Sequence, residues 1–259
     1  HLLRPYHVKQ FTKGYLKNMD GVIAPSKRVN NLLKRYGVEI PIKVIPTGVD
    51  IEAMNADGEH NVRQDLNVTD DAPVILTLSR VAAEKKIDHI IAAMPEIIEH
   101  FPNVKLVIAG DGPDVKVLKD QVERLTLEDY VIFSGNVEHE DVGNYYRMAD
   151  LFVSASDTET QGLTYIEALA AGTPSVVYDT DYTENVFDNE EFGKVFKDQQ
   201  EMLDEILFYL AKDNKKIPRI DLETKLKQLS ADHFATEVCK FYQYTIDNYQ
   251  DKQEEEIND

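Results

Sequence analysis

Cysteine is nearly absent. The 259 residues hold one, Cys239, which rules out an internal disulfide framework and suits a reducing cytoplasm. Also lacking is any run approaching the roughly 20 apolar residues that a membrane span needs, and no signal peptide is visible. Cationic charge is scarce as well: 28 Lys/Arg stand against 47 Asp/Glu, for a net charge of −19. So acidic a chain repels phosphate backbones, which argues against a nucleic acid partner. The scarcity is uneven. Residues 1–49 carry nine Lys/Arg against two Asp/Glu, leaving −26 on the remainder. That basic start suits an anionic membrane surface, and equally an ordinary solvated helix face. Metal-ligand patterns are missing too: the seven histidines show no ligand spacing, and neither H-E-x-x-H nor C-x-x-C occurs. No metal is expected, and His7, His89, His100 and His139 read as surface or cap residues.

What is present is an alternation of short apolar runs and helical periods. Residues 8–18 read as a helix with lysines at 9, 13 and 17, one per turn. Residues 20–24 follow as a buried strand, Ser26 as an N-cap, and 27–36 as a helix ended by Gly37. Residues 41–48 complete a strand–helix–strand unit whose sheet lacks further neighbours. The chain starts at His1, inside what reads as folded structure. A fragment is therefore expected, with 1–55 the end of an N-terminal domain and the polar stretch 55–71 a linker.

Beyond it, strands at 73–78, 104–109, 130–133, 151–153 and 175–178 alternate with helices at 87–100, 115–127 and 140–148. That pattern predicts an α/β fold, a Rossmann-like parallel sheet with helices on both faces, within a domain at 56–249. Such sheets bind ligands beyond the C-terminal ends of their strands. After Gly193 only helices are expected, over 199–212, 222–229 and 231–249. The acidic, apolar-poor tail at 250–259 is expected to lack structure.

The stretch SASDTETQGLTYIEALAAG, Ser154 to Gly172, carries the chemistry. It reads as a strand end, a polar loop and a helix, with Glu159 and Glu167 eight positions apart. Leu163, Ile166, Leu169 and Ala170 fall at helical spacing, and Gly172-Thr173-Pro174 stops the helix. A helix start offers unpaired N–H groups and a positive dipole end, which suit a phosphate or diphosphate. Carboxylates accept from hydroxyls instead. The pairing therefore points to a ligand with both phosphates and sugar hydroxyls. A bare Glu-x7-Glu is more often a surface loop with two solvated glutamates, so agreement with other segments decides. Arg80 and Lys85, five apart in a strand-to-helix loop, can converge on a diphosphate. The bland alternative is surface cations pairing with Glu84. Ala109-Gly-Asp-Gly-Pro113 is common turn chemistry, and Pro113 and Asp114 break a dinucleotide fingerprint, which argues against NAD.

Glu159-x7-Glu167 followed by A-L-A-x-G-x-P resembles the retaining GT-B glycosyltransferases of the E-x7-E family, group 1 or family 4. The resemblance implies that Glu159 holds donor-sugar hydroxyls and Glu167 the nucleotide ribose, with amides around Gly162, Leu163 and Thr164 facing sugar and diphosphate. Residues 79–85 are similar to the family's G-R-x-x-x-x-K-G, whose two cations neutralise the departing diphosphate in place of a metal. Arg80, Lys85 and Glu159 are thereby the catalytic candidates. Ser79 and Lys86 stand where the family has glycines. If the second glycine has positive φ, Lys86 is expected to take a different backbone angle. By the same resemblance Gly110 borders the nucleotide pocket, and the main chain of Val137 and Glu138 meets the base.

D-x-V-I-A-P-S and V-I-P-T-G-V-D look like the end of the family's N-terminal domain, which would make this chain the C-terminal half of a GT-B fold. E-T-Q-G-L-T-Y-I-E-A, with R-P-x-x-V-K-x-F-T-K-G near the start, looks most like bacterial diacylglycerol glucosyltransferases. That implies UDP-glucose as donor, no cofactor, and retention by same-face attack. It also implies a membrane-lipid acceptor reached through the missing domain, at the cytoplasmic membrane face, with the basic stripe holding anionic lipid. The fragment alone is expected to bind nucleotide sugar and transfer nothing. Three alternatives stand beside it: another hexosyl acceptor (polysaccharide or small molecule), a nucleotide-sugar epimerase, or a non-catalytic glycosyltransferase subunit. Glu-x7-Glu argues against the epimerase, and the intact set Arg80, Lys85, Glu159 and Glu167 against the subunit.

Overall fold

The structure, a computed structural model, describes residues 5–56, 61–159, 161–180, 183, 186–213 and 216–258. Residues 57–60 of the expected linker and Thr160 of the Glu-x7-Glu stretch lie outside the described residues. Two compact units divide the chain: residues 1–48 with 228–259, and residues 49–227.

The first unit opens with α1 (Pro5–Leu16), β1 (Val22–Ala24), α2 (Lys27–Tyr36) and β2 (Ile42–Val44). The two strands are parallel, Val22 opposite Ile42. Helix α2 has the limits its sequence predicts. Extended Ser26 accepts from Val29 N at 3.3 Å, and Gly37 closes the helix at φ 79. Leu16, Ala24 and Leu33 form its small core, packed by Val22, Val29 and Val38.

The second unit holds α3 (Ile51–Asn55), α4 (Val62–Asp65), β3 (Val74–Leu78), α5 (Ile87–His100), β4 (Lys105–Ala109), α6 (Val115–Arg124) and β5 (Val131–Gly135). It continues through α7 (Val142–Met148), β6 (Leu151–Ser154), α8 (Leu163–Ala170), β7 (Ser175–Tyr178), β8 (Gly193–Phe196) and α9 (Gln199–Leu210). Helices α10 (Arg219–Leu229) and α11 (Ala231–Asn258) end the chain. The six strands of this unit pair in the order β5-β4-β3-β6-β7-β8, all parallel. Val74, Ile75 and Leu76 of β3 are fully buried, as a strand covered on both faces must be. This is the α/β parallel sheet with flanking helices that the alternation predicts.

Three expectations are corrected. The polar stretch 55–71 is not a bare linker. It contains α4, and Arg63 is tied to Met148 O at 3.0 Å, Ala72 O at 2.9 Å and Asp150 at 3.1 Å, capping the start of β3 and β6. Few apolar residues signal this, because the tie is electrostatic. Second, Gly193–Phe196 is a strand beside β7 rather than the start of helical chain; four residues are too few to display a period of two. Third, α11 runs through Asn258, so the acidic tail is helical. Scarcity of apolar residues denies a segment a core, but Glu, Gln, Lys and Ile still propagate a helix.

Strand order decides where a ligand can sit. From β3 the chain first builds outward through β4 and β5, then crosses back to lay β6 on the other side, Ile75 opposite Leu151. The loops after β3 and β6 therefore leave the sheet in opposite directions, and a crevice opens between them. Gly110, just past β4, is held close to the first of these loops. Its φ is 130, and an added Cβ would lie 2.0 Å from the Ser79 carbonyl oxygen. Gly135 also has positive φ, 75, but open space around it. Gly110→Ala should therefore lower unfolding stability by about 3 kcal/mol or more, and Gly135→Ala by only about 1–2 kcal/mol. Urea denaturation of the two variants measures both, and equal losses would contradict the packing argument.

Candidate active site in the crevice between the β3 and β6 loops

Each loop carries charge to the crevice for a local reason. After β3, Ser79 N donates to Ala109 O at 3.0 Å and Val81 N to Asp111 O at 2.9 Å, so the loop is stitched to the end of β4. A short 3-10 turn, Ala83–Lys85, then brings Lys85 to the mouth of α5. Lys86 begins that helix at φ 50, ψ 38. It thus keeps the left-handed conformation a glycine would adopt, contrary to the expected change of angle. The cost is about 1–2 kcal/mol. Its ammonium offsets this by reaching Asp157 at 2.5 Å and lying 5.4 Å from the Tyr178 ring centroid.

Across the crevice, Lys85 is ion-paired and hydrogen-bonded to Glu159. Only 24% of the lysine side chain and 18% of the glutamate's are exposed, so this pair is worth more than a surface one. Two parallel lysine–carboxylate ties therefore bridge the loops. Arg80 stands differently. Its side chain is 68% exposed and pairs with Glu84 at 3.8 Å, within its own loop. It lines a cleft of about 390 Å³ together with Ser79, Gly110, Asp111, Asn136 and Val137. The structure thus brings Arg80, Gly110 and Val137 to one cleft, while Glu138 is exposed and does not line it, standing before the 3-10 turn His139–Asp141.

Gly162 starts α8 with φ 58, ψ 42, a conformation suited to a residue without a Cβ. Its carbonyl accepts from Tyr165 N at 2.9 Å. The N–H groups of Leu163 and Thr164 belong to the first helical turn and have no intrahelical acceptor. Leu163 is exposed and Thr164 half-buried, so this turn is open to a ligand. Beside it the Gln161 Oε1 is buried without a hydrogen-bond partner among the described residues.

One turn further on, Glu167 accepts a 2.9 Å hydrogen bond from the hydroxyl of Tyr146 on α7. Burial pushes the Glu167 carboxyl above the usual carboxylate range, while the Tyr146 bond and the charge of His139 work the other way. The Tyr146 phenol is itself raised well above its ordinary value, first by burial and then by Glu167 and Glu159. Both glutamates thus act on one buried hydroxyl. The motif reading finds the glutamates but misses Tyr146; His139 is exposed in the turn before α7, as expected of a surface or cap residue. A signal did exist, since a tyrosine on the core face of a helix must find a partner for its O–H. Among the described residues no group of three or more His, Cys, Asp or Glu is placed to hold a metal ion.

Comparison with known proteins places this geometry among others. The family model described as glycosyl transferases group 1 matches residues 59–227, and that of glycosyltransferase family 4 matches residues 1–53. An alpha-monoglucosyldiacylglycerol synthase of Streptococcus pneumoniae is 36% identical over 246 residues, 93% of this chain and 56% of the relative. The protein of the same name from Acholeplasma laidlawii is 31% identical over 198 residues, 74% of this chain and 50% of the relative. The chain thus spans about half the length of these curated relatives. Among solved structures, sucrose-phosphate synthase from Thermosynechococcus elongatus superposes with a TM-score of 0.80 at 25% identity, over 95% of this chain and 63% of that one. Anabaena HepE in complex with UDP gives a TM-score of 0.81 at 20% identity, over 93% of this chain and 68% of that one.

The raised Glu167 carboxyl has a consequence for stability. Folding favours its protonated form, so the stabilisation is fully present below the ordinary carboxylate range and is lost as pH rises through the raised value. Glu167→Gln keeps an acceptor for Tyr146 and removes that loss. Its melting temperature should rise relative to the parent protein between pH 4 and pH 7, the difference shrinking again in acid. Parallel melting curves with no change across that range would show that burial does not govern this carboxyl.

Proposed function

This chain belongs to the group 1 glycosyl transferases, and on that premise we propose that residues 49–227 bind a nucleoside diphosphate sugar for hexosyl transfer. The donor is UDP-glucose, the configuration is retained, and the acceptor is a diacylglycerol-type membrane lipid. The observation that carries the reading is the direct meeting of Lys85 and Glu159 in the crevice where the strand order reverses. There a cation for a diphosphate and a carboxylate for sugar hydroxyls stand within one ligand's reach. The names of the Streptococcus and Acholeplasma relatives support glucose and the lipid acceptor.

The chemistry asks for two kinds of stabilisation: negative charge gathers on the leaving diphosphate while the sugar carbon turns oxocarbenium-like. Lys85, Arg80 and the first-turn amides of Leu163 and Thr164, opened by Gly162, meet the first need without a metal. At an effective dielectric near 20, a cation about 4 Å from a phosphate oxygen contributes roughly 4 kcal/mol, and less where water screens it. Lys85, three-quarters buried, therefore outweighs Arg80, two-thirds exposed. Glu159 orients the sugar through its hydroxyls. Glu167 accepts from the ribose, Gly110 borders the nucleotide, and the Val137 and Glu138 main chain meets the base. Glu159 neutralises Lys85 in this structure, so donor binding exchanges one anionic partner for another.

Membrane contact belongs to the same reading, at the cytoplasmic face. Helix α1 carries Lys9 and Lys13, and Lys17 follows one residue past its end with its N–H on Lys13 O at 3.1 Å; Tyr6, Phe11 and Tyr15 of the helix are exposed. No helix among the described residues is long and apolar enough to cross a membrane. Each lysine near an anionic surface contributes about 1 kcal/mol.

Calorimetry tests the donor site. UDP and UDP-glucose should bind and GDP-mannose bind more weakly. Lys85→Ala should weaken UDP by about tenfold or more, and Arg80→Ala by less. Glu159→Gln should spare UDP and erase any advantage of UDP-glucose over it. Absence of UDP binding to the parent chain would sink the assignment. For the membrane, replacing Lys9, Lys13 and Lys17 by Glu should abolish co-sedimentation with liposomes containing anionic lipid; undiminished sedimentation would remove α1 from that role.

A further inference from the structure

A buried tyrosine with no part in the reading above stands against one of its carboxylates. Tyr146 is wholly inaccessible to solvent. Its ring meets Phe152 of β6 edge-on, centroids 5.5 Å apart, and its carbonyl accepts from Thr173 Oγ1 at 2.7 Å. Ring and backbone are therefore both fixed, and with them the position of the hydroxyl. That hydroxyl donates to Glu167 Oε2 at 2.9 Å. No other hydrogen bond to the Glu167 carboxylate is made among the described residues, so Oε1 stays open. A phenylalanine would fill the same space with no polar group to bury, so packing alone does not ask for a hydroxyl here.

We propose that Tyr146 is a positioning residue: its hydroxyl fixes Glu167 Oε2 so that Oε1 faces the ligand and accepts the ribose hydroxyls of the nucleotide. The inference rests on the reading of Glu167 as the ribose acceptor. The groups facing this carboxylate are Tyr146 from α7, His139 from the turn before α7, and, around the same phenol, Glu159 from the β6 loop. Burial favours the protonated carboxyl, whereas Tyr146 and His139 favour the carboxylate. Removing the phenol hydroxyl frees the carboxylate to rotate and moves its protonation toward neutral pH. A protonated carboxyl accepts more weakly than a carboxylate.

Calorimetry on the full chain with two probes, UDP and 2′,3′-dideoxy-UDP, tests this between pH 5 and pH 8. The parent chain should prefer UDP by about tenfold, the worth of hydrogen bonds to a charged acceptor. In Tyr146→Phe that preference should shrink to about twofold or less, and the acid limb of UDP binding should move to higher pH. A purely structural loss would weaken both probes alike and leave the preference intact, which would overturn the proposal. Glu167→Gln provides the second measurement. Its preference should already be small, and adding Tyr146→Phe to it should change little, whereas additive losses would overturn the coupling. If the parent chain binds UDP without preferring it to the dideoxy probe, the ribose role of Glu167 fails, and this inference fails with it.

Discussion

The reversal of strand order between β3 and β6 is the constraint on which the site depends. In a parallel sheet all loops at the C-terminal edge could crowd one another, but at a reversal two of them turn apart. Here those two are the cationic loop after β3 and the carboxylate loop after β6, and Lys85 meets Glu159 across 74 positions of sequence. A lone charge as buried as either would be costly, several kcal/mol after relaxation. Each therefore serves as the other's counter-ion, and the crevice is charged yet nearly neutral. That balance lets an acidic chain, with net charge −19, keep a largely buried cation at this edge of the sheet.

The sequence makes the parallel sheet legible because buried strands such as Val74–Leu78, apolar but for Thr77, read as short apolar runs between helical periods. Ser26 and Gly37 announce the ends of α2 in the same direct way. Glu159, Gly162 and Glu167 are legible through spacing, since a loop and a helix start impose fixed offsets. What escapes is whatever depends on partners far along the chain. Arg63 caps the sheet through carbonyls that no local pattern names. Lys86 shows why a glycine-based expectation fails: a lysine adopts the same left-handed angle when an ion pair rewards the strain. Strand β8 escapes because its partner β7, rather than its own four residues, defines it.

Tyr146 illustrates the same limit at the site itself. Motifs report residues that touch a ligand, because their spacing follows the ligand's dimensions. Tyr146, which donates to Glu167 from α7, follows instead the packing of α7 on β6, and its sequence position carries no motif signal. The physical cue lies in the hydroxyl. In a protein interior a polar group persists where something satisfies it, and Glu167 does.

Glu159 and Glu167 then differ in how their burial is met. Glu159 is balanced by a full positive charge, Lys85, whereas Glu167 has a neutral donor in Tyr146 and a smaller contribution from His139. The first carboxylate has its counter-ion at hand, whereas burial raises the second toward its protonated form. Such a group costs the fold stability, and a further hydrogen-bond donor at its second oxygen would return part of that cost. The ribose role proposed for Glu167 fits this difference: a lysine beside it would compete with uncharged hydroxyls, while a phenol occupies one oxygen and leaves the other.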